Sequence, residues 1–403
     1  MRALRAIAAL FLLAAGVRAA GAEGAGGAAA ATAGAARGKE AAEEYELAAE
    51  VRKAAEPFFA KGKHVGLVVG AYAGGRRAVV AFGRKDADRD EAPDGRTVYE
   101  IGSVTKVFTA AILETMVEAG SVRLGQQADE LLPADMKLPA WQDRKITLQH
   151  LVTHTSGLPR LPDDLLDLRR ANNPYAWYTQ KDMGAFLART KLKVAPGEKY
   201  EYSNMGVGLL GLALAQKSGT DYEALVTSAV CKPLGMNDTA ITLSADGRRR
   251  LAQGYSRVAP IRMFQSSLKS ENWAFQECFA GAGALVSTAD DMLKFIAANL
   301  GQGDAGLVAA LAKTHRPLFK VDDGLSVGMA WHIARRDKEP RELVWHNGGT
   351  GGYASFIAFS KAERAGVVVL ANTAVGVEDA GIAVLMTITG HNAARPATDV
   401  KGK

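Results

Sequence analysis

The amino-acid sequence predicts an α+β fold: a sheet assembled from both ends of the chain, covered by the N- and C-terminal helices, with a mainly helical domain inserted between its two halves. Three observations lead there. Apolar runs from His64 to Ala73 and from Arg76 to Phe82 meet at Gly74-Gly75, a two-residue hairpin signal. Strand-like runs then return only near the C-terminus, at Leu325–Ile333, Leu343–His346, Tyr353–Phe359 and Gly366–Ala371. Between them, from about Val107 to Leu285, the chain reads as helices and loops.

Taken in order, residues 1–22 read as a secretory signal peptide. Arg2 and Arg5 precede the apolar run Ala6 to Val17, Ala20-Gly21-Ala22 offers an A-x-A cleavage site, and the run is too short for a stop-transfer span. Residues 23–40, rich in Ala and Gly, have little to bury and are expected to be a disordered leader. A discontinuous sheet domain follows at 41–106 and 286–392, interrupted by a helical domain at 107–285 and followed by a tail at 393–403. Helices are expected from Glu43 to about Gly62, over Met205–Lys217, and from Asp379 to Ile388. With 403 residues, 48% hydrophobic and 23% charged, the chain suffices for two packed units.

Composition narrows the function classes. The formal charge of +6 shrinks once Arg2, Arg5 and Arg18 leave with the signal, which argues against nucleic acid as a partner. Arg248-Arg249-Arg250 is read as a solvated turn. No integral membrane span is expected after the signal, and no cysteine near it could carry a lipid. A monomeric periplasmic or secreted product follows. Cys231 and Cys278 allow one disulfide, which export permits, with two separately buried thiols as the other reading and the one favoured here.

The chemistry-bearing residues fall into three groups. Ser103-Val104-Thr105-Lys106 follows an extended run, Val98 to Gly102, and opens an apolar helix, so a hydroxyl and an amine three residues apart share one helical face. The free N–H groups of that helix start favour negative charge developing there, an arrangement for acyl transfer. Tyr202-Ser203-Asn204 comes after the turn signal Pro196-Gly197, and His346-Asn347-Gly348-Gly349 after Leu343-Val344-Trp345. Ser103 needs a base to become a nucleophile, and either Lys106 or Tyr202 could serve: a desolvated lysine loses basicity and a tyrosine beside a cation gains acidity. Asn204 is expected to cap the helix that follows it.

Other matches carry less. Ser266-Ser267-Leu268-Lys269 repeats S-x-x-K in a polar loop, Lys217-Ser218-Gly219 reads as a helix C-cap, and His64-Val65-Gly66 precedes the nucleophile. His150 and His154 have the spacing of a zinc helix, but no Glu follows His150 and no third ligand is apparent, so structural hydrogen bonding is expected and no metal. G-x-S-x-G is absent.

On these motifs, in this order and at this spacing, the chain resembles the serine β-lactamase and DD-peptidase superfamily, on the branch of class C β-lactamases, DD-carboxypeptidases and related esterases. The similarity runs over roughly residues 60 to 390 and includes Ile146 to Pro159, Pro233-Leu234-Gly235-Met236 and Ala280 to Leu285. Asn173-Pro174-Tyr175 and the Pro-Gly turn before Tyr202 are similar to the AmpH-type carboxypeptidase/endopeptidase group. The resemblance implies a β-lactamase/DD-peptidase-like antiparallel sheet and an acyl-enzyme on Ser103. It makes Tyr202 the principal base and later the general acid, with Lys106 holding it in register. Asn204 would bind the acyl-side carbonyl, and the backbone N–H groups of Ser103 and Gly349 would form the oxyanion hole, with Gly348 beside it.

It implies no cofactor, and as substrate a peptidoglycan stem peptide ending in D-Ala-D-Ala. A β-lactam, an ester, or a non-catalytic role in binding cell-wall peptides are the alternatives. His346 stands where better-known relatives carry lysine, and as a cation it would hold the substrate carboxylate below its pKa of about 6.5. Gly349 stands where carboxylate-binding relatives carry Ser or Thr, so that hydroxyl is missing. Specificity is expected to lie in loops such as Pro162–Tyr178.

Overall fold

Gly74 and Gly75 adopt φ values of +58° and +98°, the left-handed conformations a tight hairpin demands, and they join strand β1 (Gly66–Ala73) to β2 (Arg76–Gly83). The computed structural model describes residues 42–165, 172–257, 267–336 and 339–390. The expected signal peptide, leader and tail lie outside them. From Glu44 onward the chain forms one compact unit.

After β1 and β2 come the short β3 (Tyr99–Glu100) and helix α2 (Thr105–Glu118), α1 being the helix at residues 42–59. The middle of the chain contributes α3 (Leu148–Val152), α4 (Gln180–Arg189), α5 (Asn204–Ser218), α6 (Tyr222–Val226), α7 (Ala245–Arg250) and α8 (Glu277–Gly283), with a ribbon of β4 (Tyr255–Arg257) and β5 (Ser267–Lys269). Strand β6 (Val286–Ser287) pairs with β3, and α9 (Ala289–Asn299) and α10 (Ala305–Thr314) follow. The chain then returns to the sheet as β7 (Phe319–Lys320), β8 (Leu325–Val327), β9 (His332–Arg336), β10 (Glu339–Gly349), β11 (Ala354–Ser360) and β12 (Ala365–Ala371), and closes with α11 (Glu378–Ile388).

The main sheet is antiparallel throughout, in the order β2-β1-β12-β11-β10-β9-β8-β7. Its two faces sort by the alternation of β1. Leu67, Val69 and Ala71 join Leu47, Val51 and Ala55 of α1 and Val384 and Leu385 of α11, whereas Val68 and Tyr72 join Leu293 and Ile296 of α9 and the core around α2. Helices on both faces explain why β1 and β12 are apolar along their whole length rather than alternating. Inside the helical segment α5 packs on α8 at van der Waals distance: a Cβ on Gly211 would sit 2.9 Å from the Cα of Gly281.

Several expectations need adjusting. The run Leu325–Ile333 is two strands, β8 and β9, because Gly328 N–H bonds to Trp331 O and Ala330 takes a positive φ between them. Arg248–Arg250 ends a helix, and Arg250 is a bridged cation between Asp238 and Asp246. Ser267–Lys269 is a strand whose lysine pairs with Asp86 and Asp88, and Ser266 lies outside the described residues. Lys217 sits in the last turn of α5, which Gly219 ends at φ +72°. Cys231 and Cys278 are buried free thiols.

Candidate active site

Strand β3 ends two residues before Gly102, which at φ +48° turns the chain into a single 3₁₀ turn, Gly102–Val104, ahead of α2. Ser103 lies in that turn, one step before the helix proper, and makes no capping bond. The turn is pressed against the end of β10. A Cβ on Gly102 would fall 2.8 Å from Gly349 N, and one on Gly348 would fall 2.1 Å from Ile101 O and 3.0 Å from Ser103 N. Only glycine leaves that space. Ser355 on β11 closes the clamp by donating to Ile101 O at 2.7 Å.

Lys106, one turn on, is fully buried among apolar neighbours. Its Nζ lies 3.0 Å from Ser103 Oγ and donates to Ala282 O at 2.6 Å, with the Tyr202 ring centroid 5.1 Å away. Burial, helped by the Arg160 cation, pushes its pKa well below that of an ordinary lysine. Burial also raises the Tyr202 phenol, against the smaller opposite pulls of its hydrogen bond with Ser103 and of Arg160. The expectation that Tyr202 becomes more acidic beside a lysine cation is therefore reversed. An enclosed site penalises ammonium and phenolate alike, so the free amine and the intact phenol are the favoured pair.

Ser203, not Asn204, caps α5, accepting from Gly206 N–H at 2.9 Å. The Asn204 amide is thus released from capping. Its Nδ2 donates to the Tyr175 hydroxyl at 3.2 Å while its Oδ1 is buried without a partner, an arrangement suited to a ligand amide. His154 backs the same segment: at a positive φ of 58° it accepts from Ser203 N–H through Nδ1 and packs on the Tyr202 ring at 4.4 Å. His150 accepts from Thr147 N–H in a capping box. Among the described residues no group of His, Cys, Asp and Glu could hold a metal.

His346 is where the structure departs furthest from expectation. It is fully buried on β10, its Nδ1 donates to Asn347 O at 2.6 Å, and its ring lies 5.3 Å from His332 and 6.1 Å from Tyr202. Burial first, then His332 and Lys106, hold its pKa well below 6.5. Burial favours the neutral imidazole, with an open Nε2 beside Tyr202, over the cation expected to hold a carboxylate. With its pKa held well below 6.5, the ratio of kcat/KM for a D-Ala-D-Ala peptide to that for an uncharged ester should stay flat as pH passes through 6.5. A ratio that falls through about pH 6.5 would restore the imidazolium.

The third group also supplies backbone. Thr350 N–H bonds to Tyr353 O, so the antiparallel alternation turns the N–H of Gly349 away from β11. Partner β9 stops opposite Trp345, which leaves this stretch of edge open beside Ser103. The Thr350 hydroxyl lies at Glu100, a buried carboxyl that accepts from Asn272 and Trp273 and whose pKa burial raises. The Thr350 hydroxyl is itself buried without a hydrogen-bond partner. Residue-type reasoning passed over Glu100, His332 and Arg160. The first two carry no motif of their own, whereas Arg160 directly follows the Leu158-Pro159 signature.

A buried amine and a phenol stand beside a serine, at a glycine-lined strand edge between a sheet and a helical layer, and the class of protein is a serine hydrolase. The chain belongs to the Beta-lactamase family, whose model matches residues 51–388. It is 28% identical over 344 residues to the D-alanyl-D-alanine-carboxypeptidase/endopeptidase AmpH of Escherichia coli, covering 81% of this chain and 84% of that protein. It is 26% identical to a beta-lactamase of Yersinia enterocolitica, covering 82% and 87%. The structure superimposes on a class C beta-lactamase with a TM-score of 0.73 at 22% identity, over 88% of this chain and 98% of that one. It also matches a beta-lactamase/D-alanine carboxypeptidase from Yersinia pestis with a TM-score of 0.72 at 22% identity, over 85% and 98%.

Proposed function

We propose that the chain is an exported D-alanyl-D-alanine carboxypeptidase/endopeptidase that cleaves peptidoglycan peptides through an acyl-enzyme on Ser103. The observation that carries this reading is the 3.0 Å contact between the Lys106 amine and the Ser103 hydroxyl, with the Tyr202 ring 5.1 Å from that amine. The similarity to AmpH supports the choice of peptide, and the charged segment and apolar run at the N-terminus support export.

The neutral Lys106 amine takes the Ser103 proton as Oγ attacks the carbonyl of the penultimate D-alanine. The carbonyl oxygen gains the negative charge and is met by the N–H groups of Ser103 and Gly349. As the C–N bond breaks, the Tyr202 hydroxyl gives its proton to the departing amine and recovers one from Lys106, so that D-alanine leaves and the acyl group stays on Ser103. Water then attacks the ester under the same pair run in reverse. Asn204 holds the acyl-side amide, and neutral His346 keeps Tyr202 in place from the far side.

Intact mass after incubation with a penicillin, alongside D-alanine release from a D-Ala-D-Ala peptide, tests this. A persistent adduct together with D-alanine release is expected. Rapid penicillin turnover without D-alanine release makes the chain a β-lactamase, and turnover of esters alone makes it a carboxylesterase. No reaction with any of the three overturns the enzyme reading.

A further inference from the structure

We propose that Arg160 is a receptor for a carboxylate on the acyl side of the substrate, an inference that rests on the acyl-enzyme reading and adds the substrate's charge to it. Arg160 ends the loop running from His154, and its backbone carbonyl accepts from the N–H groups of Asn204 and Met205, so it belongs to the wall that carries the Asn204 amide. Its side chain is exposed, and the guanidinium carbon lies 5.0 Å over the Tyr202 ring. The charge is felt across the site: it depresses Lys106 and His154 and works against the rise of Tyr202, Tyr175 and Tyr200.

Among the described residues this cation has no carboxylate. The acids nearest in sequence, Asp163 and Asp164, are both taken by Arg189, at 2.6 and 2.7 Å. A guanidinium stacked on an aromatic ring keeps its N–H edge free, and that edge matches a carboxylate with two parallel hydrogen bonds. Next to it the wall is aromatic: Tyr175 stacks on Phe275 at 4.6 Å and leans on Trp273 at 5.4 Å. The acyl portion this surface fits is therefore anionic at one point and flat or apolar beside it.

The test uses two thioester substrates with the same D-alanyl acyl group and leaving group, one capped with succinyl and the other with its neutral isostere, succinamoyl. For the native enzyme, kcat/KM should favour the succinyl cap by about tenfold, chiefly through KM, and added salt should shrink the preference. Arg160→Gln should abolish the preference, whatever common change in kcat it brings to both caps through Lys106 and Tyr202, while Arg160→Lys should keep part of it. Equal rates for both caps in the native enzyme, or a preference that survives Arg160→Gln, overturns the proposal. A fall in kcat that is equal on both caps, with the ratio unchanged, assigns Arg160 to the Tyr202 proton and also overturns it. Turnover of neither cap by the native enzyme removes the acyl-enzyme reading, whereas turnover of both without preference removes only the role of Arg160.

Discussion

Ser103→Ala is expected to abolish the penicillin adduct and to lower kcat/KM on peptide and ester by about 10⁴-fold or more, since no covalent route survives without the hydroxyl. Folding should hardly notice. The Ser103 hydroxyl caps no helix and meets the Lys106 amine at 3.0 Å. After its removal Lys106 still donates to Ala282 O and the glycine clamp around the turn is untouched, so the midpoint of thermal unfolding should move by no more than a few degrees. An adduct that persists in the alanine variant would place the nucleophile elsewhere and dismantle the assignment of the whole site.

The second large effect separates the two candidate bases. Lys106→Met keeps an unbranched stem in the buried channel but deletes the amine, and kcat should fall by about 10²- to 10⁴-fold with a small change in KM. Tyr202→Phe should also slow acylation more than binding, but the two variants should differ in their response to pH. Lys106 is active without its proton, and burial has moved its pKa down, so activity in the native enzyme should rise with pH as the ammonium is lost, well before an ordinary lysine would titrate. That rising limb should vanish in Lys106→Met and persist in Tyr202→Phe. The opposite outcome, a limb lost with the tyrosine and kept without the lysine, would return Tyr202 to the role of principal base.

How much of this was legible from residues alone follows from the range of the interactions involved. Gly74-Gly75 declares its hairpin because the conformational demand is local, and the S-x-x-K pair is readable because one helical turn brings i and i+3 together whatever the rest of the chain does. The order of motifs was enough for the superfamily. Capping was a nearer miss: Ser203 and Asn204 are both good caps, and the choice fell to Ser203 because its hydroxyl also donates to Pro159 O across the fold. The split of Leu325–Ile333 depends on Ala330 N–H reaching Val152 O, a contact no local pattern could announce.

The sequence by itself determined the fold class and singled out Ser103 and the three motif groups as candidates, because period, turn chemistry and helical spacing are properties of short stretches. Only the tertiary structure decided the protonation of the site. Whether Lys106, Tyr202 and His346 are charged depends on how much water the packed sheet and helices exclude and on which cations stand nearby, and both are sums over residues far apart in the chain. The same holds for Arg160, whose charge ends up over Tyr202 while Asp163 and Asp164 pair with Arg189.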